Sequence, residues 1–155
     1  MSARRPSALS AAVLVAAAGL SGCTSAVSMQ PARDANDPLC AEVSVRLPAS
    51  IDNQERRQTD AQATGAWGDP ASVLLTCGVE PPGPTTLPCR TVDGVDWIID
   101  DQGDSRFRVT TFGRTPAVEV FLDNTMVSSL DVLSALTPAV SRLPVDGECT
   151  TAPAG

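Results

Sequence analysis

Five cysteines constrain this chain more than any other feature, because of where they fall. Cys23 stands alone behind an apolar leader, whereas Cys40, Cys77, Cys89 and Cys149 are spread through the rest. No two of those four form a C-x2-C pair, so the close thiolate spacing of a structural zinc site is missing. An even number of well-separated cysteines in an oxidising compartment reads as two disulfides and a small stapled scaffold. Three pairings are possible, and spacing does not choose among them.

Export from the cytoplasm is the premise of that reading, and residues 1–22 supply it. Arg4 and Arg5 form a charged start, residues 8–20 are mostly apolar, and small residues follow. A spanning helix needs roughly 20 predominantly apolar residues; Ser21, Gly22, Cys23 and Thr24 interrupt the run too early. Leu20-Ser21-Gly22-Cys23 resembles the lipobox of bacterial lipoproteins, where the leader is cut before the cysteine and the sulfur takes up diacylglycerol. The resemblance implies a lipid-anchored, palmitate-type chain on the extracytoplasmic face of the cell membrane, attached through Cys23. The alternative is a chance cysteine behind an ordinary signal peptide. The arginine pair lacks the bulky apolar residues of a twin-arginine signal, so ordinary secretion is expected.

Cleavage before Cys23 leaves residues 23–155, enough for one domain. Of 11 arginines, Arg4 and Arg5 leave with the leader while all 18 acids stay, so the mature formal charge is 9 − 18 = −9. With no basic stripe, nucleic acid is excluded and anionic headgroups are not the main partner. Membrane attachment then rests on acyl chains, two of which anchor stably where one is marginal. The chain has no His, no Lys and no Tyr. That removes Ser-His-Asp and Cys-His pairs, His-ligated zinc and the Ser-Lys dyad in one step.

Residues 23–37 are rich in Ser, Ala, Pro and Asp without periodicity, which predicts a lipidated flexible tether with a span of roughly 20 Å. A single globular domain is expected over 38–150 and a disordered tail over 151–155. Asp37-Pro38 reads as an N-cap followed by Pro at the first helical position. Leu39, Val43 and Leu47 then predict a short helix ending before Pro48, although the alternation of Val43, Val45 and Leu47 allows a strand. Residues 51–64 read as a polar, exposed arm. Residues 72–79 form a short apolar run, a buried strand. Four prolines and a glycine exclude regular structure over 80–88. Asp93-Gly94 between strand-like flanks predicts a hairpin, and strands are expected at 106–112 and 117–122. Ser128 and Asp131 suggest a capping box. Leu130, Leu133, Leu136, Val140 and Leu143 trace one helical face, with a break or kink at Thr137-Pro138. The whole reads as α+β: a small antiparallel sheet of four to five strands, with a short N-terminal helix and one or two C-terminal helices packed on one face.

Four segments carry a further resemblance: Trp67-Gly68-Asp69-Pro70, Leu75-Thr76-Cys77-Gly78-Val79, Val92-Asp93-Gly94-Val95-Asp96-Trp97 and Phe112-Gly113-Arg114. In this order and spacing they resemble an actinobacterial family of secreted and lipoprotein domains with no assigned function, over roughly residues 39–149. The many arginines and absent lysines suit a high-GC genome of that kind. The resemblance implies location and lineage, and no activity. It also implies the pairing Cys40–Cys77, kept by relatives with fewer cysteines, with Cys89–Cys149 gained or lost together. Cys77 shares a strand face with Val73, Leu75 and Val79, in keeping with the first pair. The competing scheme, Cys77–Cys89 with Cys40–Cys149, stays open.

The candidate binding residues are Trp67, Asp69, Trp97 and Arg114. Trp67 and Trp97 suit stacking on sugar faces, or simply the core. Asp69 before Pro70 suits a turn. Arg114 suits a bidentate clamp on carboxylate or phosphate, or a structural ion pair. Asp96, Asp100, Asp101 and Asp104 depart from the twelve-residue calcium loop and read as a solvated acidic hairpin. Glu119 points to water. No catalytic set, metal site or cofactor is expected. The functional expectation is a monomeric, non-catalytic envelope lipoprotein that binds a protein or cell-wall component. The alternatives are a His-independent glycan hydrolase using two carboxylates and a small-ligand carrier. A buried carboxylate pair, a large apolar cavity or a flat exposed patch would separate these readings.

Overall fold

Asp37 begins the ordered elements as the sequence leads one to expect. In the computed structural model, which describes residues 25–150, its carboxylate accepts the Leu39 N–H at 2.8 Å. The helix α1 then spans Pro38–Ser44. The leader at 1–22, lipidation at Cys23 and the tail at 151–155 lie outside the described residues. The strands that follow are β1 (Ser50–Ile51), β2 (Gln54–Arg57), β3 (Thr64–Trp67), β4 (Val73–Val79), β5 (Cys89–Val92), β6 (Val95–Gly103), β7 (Arg106–Thr111) and β8 (Ala117–Asp123). Helix α2 covers Ser129–Val140.

All the strand pairs are antiparallel, and they form one sheet in the order β1-β2-β3-β4-β8-β7-β6-β5. Two meanders, β1–β4 and β5–β8, meet along β4 and β8. This corrects the expected sheet of four to five strands, which has eight. Three strands were missed: β1 and β2, at the start of the supposed polar arm, and β3, which follows it. Asp52 and Asn53 both take left-handed backbone angles (φ 45° and 62°) and turn β1 into β2. Asp and Asn tolerate that conformation because their short polar side chains bond locally. β2 is held by backbone pairing to β3, with little apolar alternation to betray it.

The expected layer of helices on one face is corrected as well. Helix α2 contacts both edge strands, β1 and β5, so the sheet curls around the helices. Trp67, Val73, Leu75, Trp97, Val109, Val120 and Leu122 fill that trough against Val43, Val132, Leu133, Leu136 and Val140. Helix α2 runs through Pro138 without the expected break. Leu130, expected on the core face, is 61% exposed.

The supposed tether is packed from residue 25 onward. Val27 N–H donates to the Gln58 carbonyl at 2.8 Å, Met29 N–H to the Asp60 carboxylate at 2.8 Å, and Asp34 N–H to the Gly78 carbonyl at 3.0 Å. The Met29 N–H, and after it the Ser28 hydroxyl, hold the Asp60 carboxyl below the usual carboxylate range. Ala35 is buried. The domain therefore starts no later than residue 25, rather than at 38. Disulfides Cys40–Cys77 and Cys89–Cys149 fasten α1 to β4 and β5 to the C-terminal segment, with Cα separations of 5.6 and 5.8 Å.

Candidate functional site

The four candidate residues do not meet. Trp67 lies on β3 and Trp97 on β6, with β4, β8 and β7 between them. Trp67 is fully buried, and its indole N–H donates to the Pro48 carbonyl at 3.0 Å. Trp97 is fully buried too, its indole N–H without a partner among the described residues. Neither ring offers a face to a sugar. Asp69 is exposed and pairs with Arg57 at 3.0 Å.

Arg114 is turned inward. Its Nη1 donates to the Leu143 carbonyl at 2.7 Å and its Nη2 to the Gly94 carbonyl at 3.4 Å. Burial pushes its pKa down, opposed by the nearby Asp96 charge, but a guanidinium stays protonated in a protein. The Asp96 carboxylate in turn accepts the Thr91 hydroxyl at 2.5 Å and the Cys149 N–H at 2.6 Å. The segment that ends the domain is thus held by Arg114 at one point and Asp96 at another.

Two glycines of the same segments make such fastening possible. A Cβ on Gly78 would stand 2.4 Å from the Asp34 carbonyl carbon, and one on Gly113 would stand 2.0 Å from the Gly147 oxygen. The chain crosses the sheet closely at both places, where side chains would collide. The recognisable segments are seams that fasten the two ends of the chain to the sheet. Trp67→Ala is accordingly expected to cost about 3–5 kcal/mol of stability, as large aromatic truncations in cores do. Urea unfolding would measure it, and an unchanged midpoint would return Trp67 to the list of binding residues.

Chemistry for binding lies elsewhere, on the outer face of the sheet near β5 and β6. An open groove of about 650 Å³ has Ile98, Phe112 and the Cys89–Cys149 disulfide along its floor. Pro82, Pro84 and Leu87 form a wall, and Arg90 supplies one cation. Among the described residues no Asp or Glu lines it, although the chain holds 18 acids. The wall comes from the proline segment that crosses from β4 to β5. Its nine residues, 80–88, span roughly 28 Å if extended like polyproline. The sequence read this segment as irregular and missed its role. One signal was present: Trp97-Ile98-Ile99 is apolar on both strand faces, so its outward residue needs a cover.

A smaller cleft of about 270 Å³ beside the groove contains Asp96, Glu148 and Arg114. Both Asp96 oxygens accept protein donors there, and Glu148 is exposed. Among the described residues no three acidic or cysteine side chains converge to hold a metal ion. Asp101 accepts the Gly103 N–H and Asp104 pairs with Arg106 at 3.0 Å, each bond local to the hairpin.

A family model described as a protein of unknown function (DUF3515) matches residues 5–146. No curated protein and no solved structure matches the chain.

Proposed function

We propose that this chain, which belongs to the DUF3515 family of proteins of unknown function, is a non-catalytic lipoprotein domain of the cell envelope that binds a partner in the Ile98–Phe112 groove. The carrying observation is the groove itself: apolar at its floor, free of carboxylates, and open along one side of a strongly acidic chain. An open, proline-walled groove suits an extended segment of a protein, whereas a small-molecule site encloses most of its ligand's surface. Two disulfides suit an oxidising compartment. Among the described residues no helix is long and apolar enough to cross a membrane, so the anchor in this reading is lipid on Cys23. The lineage in the same reading is actinobacterial.

Two measurements test it. Cys23→Ala is expected to release the protein into the medium or leave an unprocessed precursor; a membrane-bound, leader-free variant would refute the anchor. A photo-crosslinking residue at Leu87, 41% exposed on the groove wall, is expected to capture a partner that one at Leu130 does not. Arg90→Asp should reduce that capture about tenfold, on the scale of an interface hot spot. Unchanged capture with the native melting temperature would show that the groove is not the site.

A further inference from the structure

The alternation of hydrogen bonds in the sheet shows which backbone groups of β5 are unused. Asp93 and Gly94 close a two-residue hairpin, so Val92 and Val95 exchange bonds, and Arg90 and Trp97 do so two residues on. Ile99 N–H donates to the Pro88 carbonyl at 2.8 Å, which continues the same alternation. On β6, the Asp96 carbonyl accepts from Phe112 on the β7 side, at 2.8 Å. The backbone groups of Asp96 and Ile98 therefore face β7, and those of their partners Cys89 and Thr91 face away from the sheet. Strand β5 is last in the sheet order, so no strand stands beyond it. Among the described residues no backbone group pairs with Cys89 or Thr91 from that side. The Cys89 carbonyl accepts one long bond, 3.4 Å, from the Arg90 side chain.

Unpaired edge groups are a template for another strand. Resting on the groove reading above, we infer that the partner's extended segment binds as a β-strand added to the free edge of β5, with a carboxylate side chain opposite Arg90. Leu87, Cys89 and Arg90 also line the Ile98–Phe112 groove, so edge and groove form one continuous surface. Helix α2 touches β5 and Val92 packs on the core, yet Arg90 and Thr91 are exposed. A strand paired with Cys89 and Thr91 sets one residue directly against Arg90, in the closer, non-hydrogen-bonded kind of pair. Arg90 forms no ion pair among the described residues, in a chain that holds 18 acids. An acid on the added strand supplies that missing partner. Its neighbours, opposite Cys89 and Thr91, fall on the sheet face that carries Ile98 and the Cys89–Cys149 disulfide, where apolar side chains suit. The same arginine disfavours a second copy of this chain as the occupant. Antiparallel pairing of two β5 strands through both Cys89 and Thr91 sets Arg90 against Arg90, and like charges directly opposite repel.

The test selects a displayed library of random twelve-residue peptides against the mature chain, residues 23–155, carrying Cys23→Ser to prevent thiol exchange. Peptides that photo-crosslink to residues 85–91 are expected to carry Asp or Glu. Each backbone N-methyl group aimed at β5 should weaken them about tenfold, the loss of one hydrogen bond with its acceptor left bare. N-methyl groups at the alternate positions face away and should leave Kd nearly unchanged, a period of two. Thr91→Pro removes an N–H that no strand of the sheet uses, and is expected to weaken the same peptides about tenfold at a near-native melting temperature. If that variant melts early, the N-methyl scan on the chain with Thr91 intact decides alone. An even loss along the peptide, or none, would overturn strand addition and leave the groove as the site, as would groove-bound peptides with no acid. A selection that yields no peptide crosslinked to residues 85–91 would sink the groove reading, and strand addition with it.

Discussion

Gly113→Ala is expected to detach the C-terminal segment and lower stability by about 3–5 kcal/mol. Two costs combine. Gly113 has φ +63°, a conformation that costs an L-residue about 1–2 kcal/mol. The new methyl would also stand 2.0 Å from the Gly147 oxygen, so backbone must move rather than a flexible side chain. Asp146 N–H donates to the Gly113 carbonyl at 2.9 Å, and the Leu143 carbonyl accepts from Arg114. Moving the segment strains both bonds, and a buried guanidinium that loses its acceptor costs more than a neutral donor. Against a typical total of 5–15 kcal/mol, the loss is a large share of the domain's stability. Urea unfolding of the variant measures it, together with the fraction of Cys89–Cys149 formed. A midpoint within error of the native chain would mean that the crossing is looser than the contact distances show. Gly78→Ala, 2.4 Å from the Asp34 carbonyl carbon, is the matching test at the other seam.

What the sequence revealed of the fold followed from local chemistry. The Asp93-Gly94 hairpin formed because both turn residues accept positive φ, 47° and 79°. Strands β4 and β8 alternate Val73, Leu75, Cys77 against Val118, Val120, Leu122, and each set is buried. Strands β1 and β2 could not be read in that way, since β1 has only two residues, of which Ile51 alone is buried, and β2 (Gln54-Glu55-Arg56-Arg57) is polar throughout and held by backbone pairing. The curl of the sheet was equally hidden, for it depends on one helix touching strands some 80 and 40 residues earlier in the chain. Leu130 shows the limit of periodicity. It falls on the apolar face by spacing, yet it sits in the first turn of α2, beyond the reach of the trough.

The candidate site was hidden for a different reason. Its floor and walls come from residues 82–87, from Ile98, from Phe112 and from Cys149, and no single stretch shows the groove. The segments that did stand out, built on Trp, Gly and Asp, carry strict local requirements. Gly78 and Gly113 are needed where chain crosses chain, Asp96 where a backbone N–H must be met, and Arg114 where carbonyls would be left bare. Such positions look like function in a sequence because few residue types satisfy them. Here they build the platform on which the groove is held.

The two disulfides offer the other large effect, and they separate two accounts of how a crosslink stabilises. Chain entropy depends on loop length. The separations of 37 and 60 residues give about 4 kcal/mol each, with the longer loop slightly ahead. Burial points the other way. Cys40 and Cys77 are both 0% exposed within the main core, whereas Cys89 and Cys149 are half-buried at the groove. Replacing Cys40 and Cys77 together with Ala removes the crosslink and leaves a void in the core, which adds roughly 1–2 kcal/mol to the loss. The Cys89→Ala/Cys149→Ala variant loses the crosslink with little void, and the Asp96 bond to the Cys149 N–H still holds the segment in part. The expected order is therefore a larger loss from the first pair, strong enough to leave that variant largely unfolded at 37 °C. Urea denaturation of the two double variants decides it. A larger loss from the Cys89–Cys149 pair would show that loop length governs and that the core closes around the missing sulfurs.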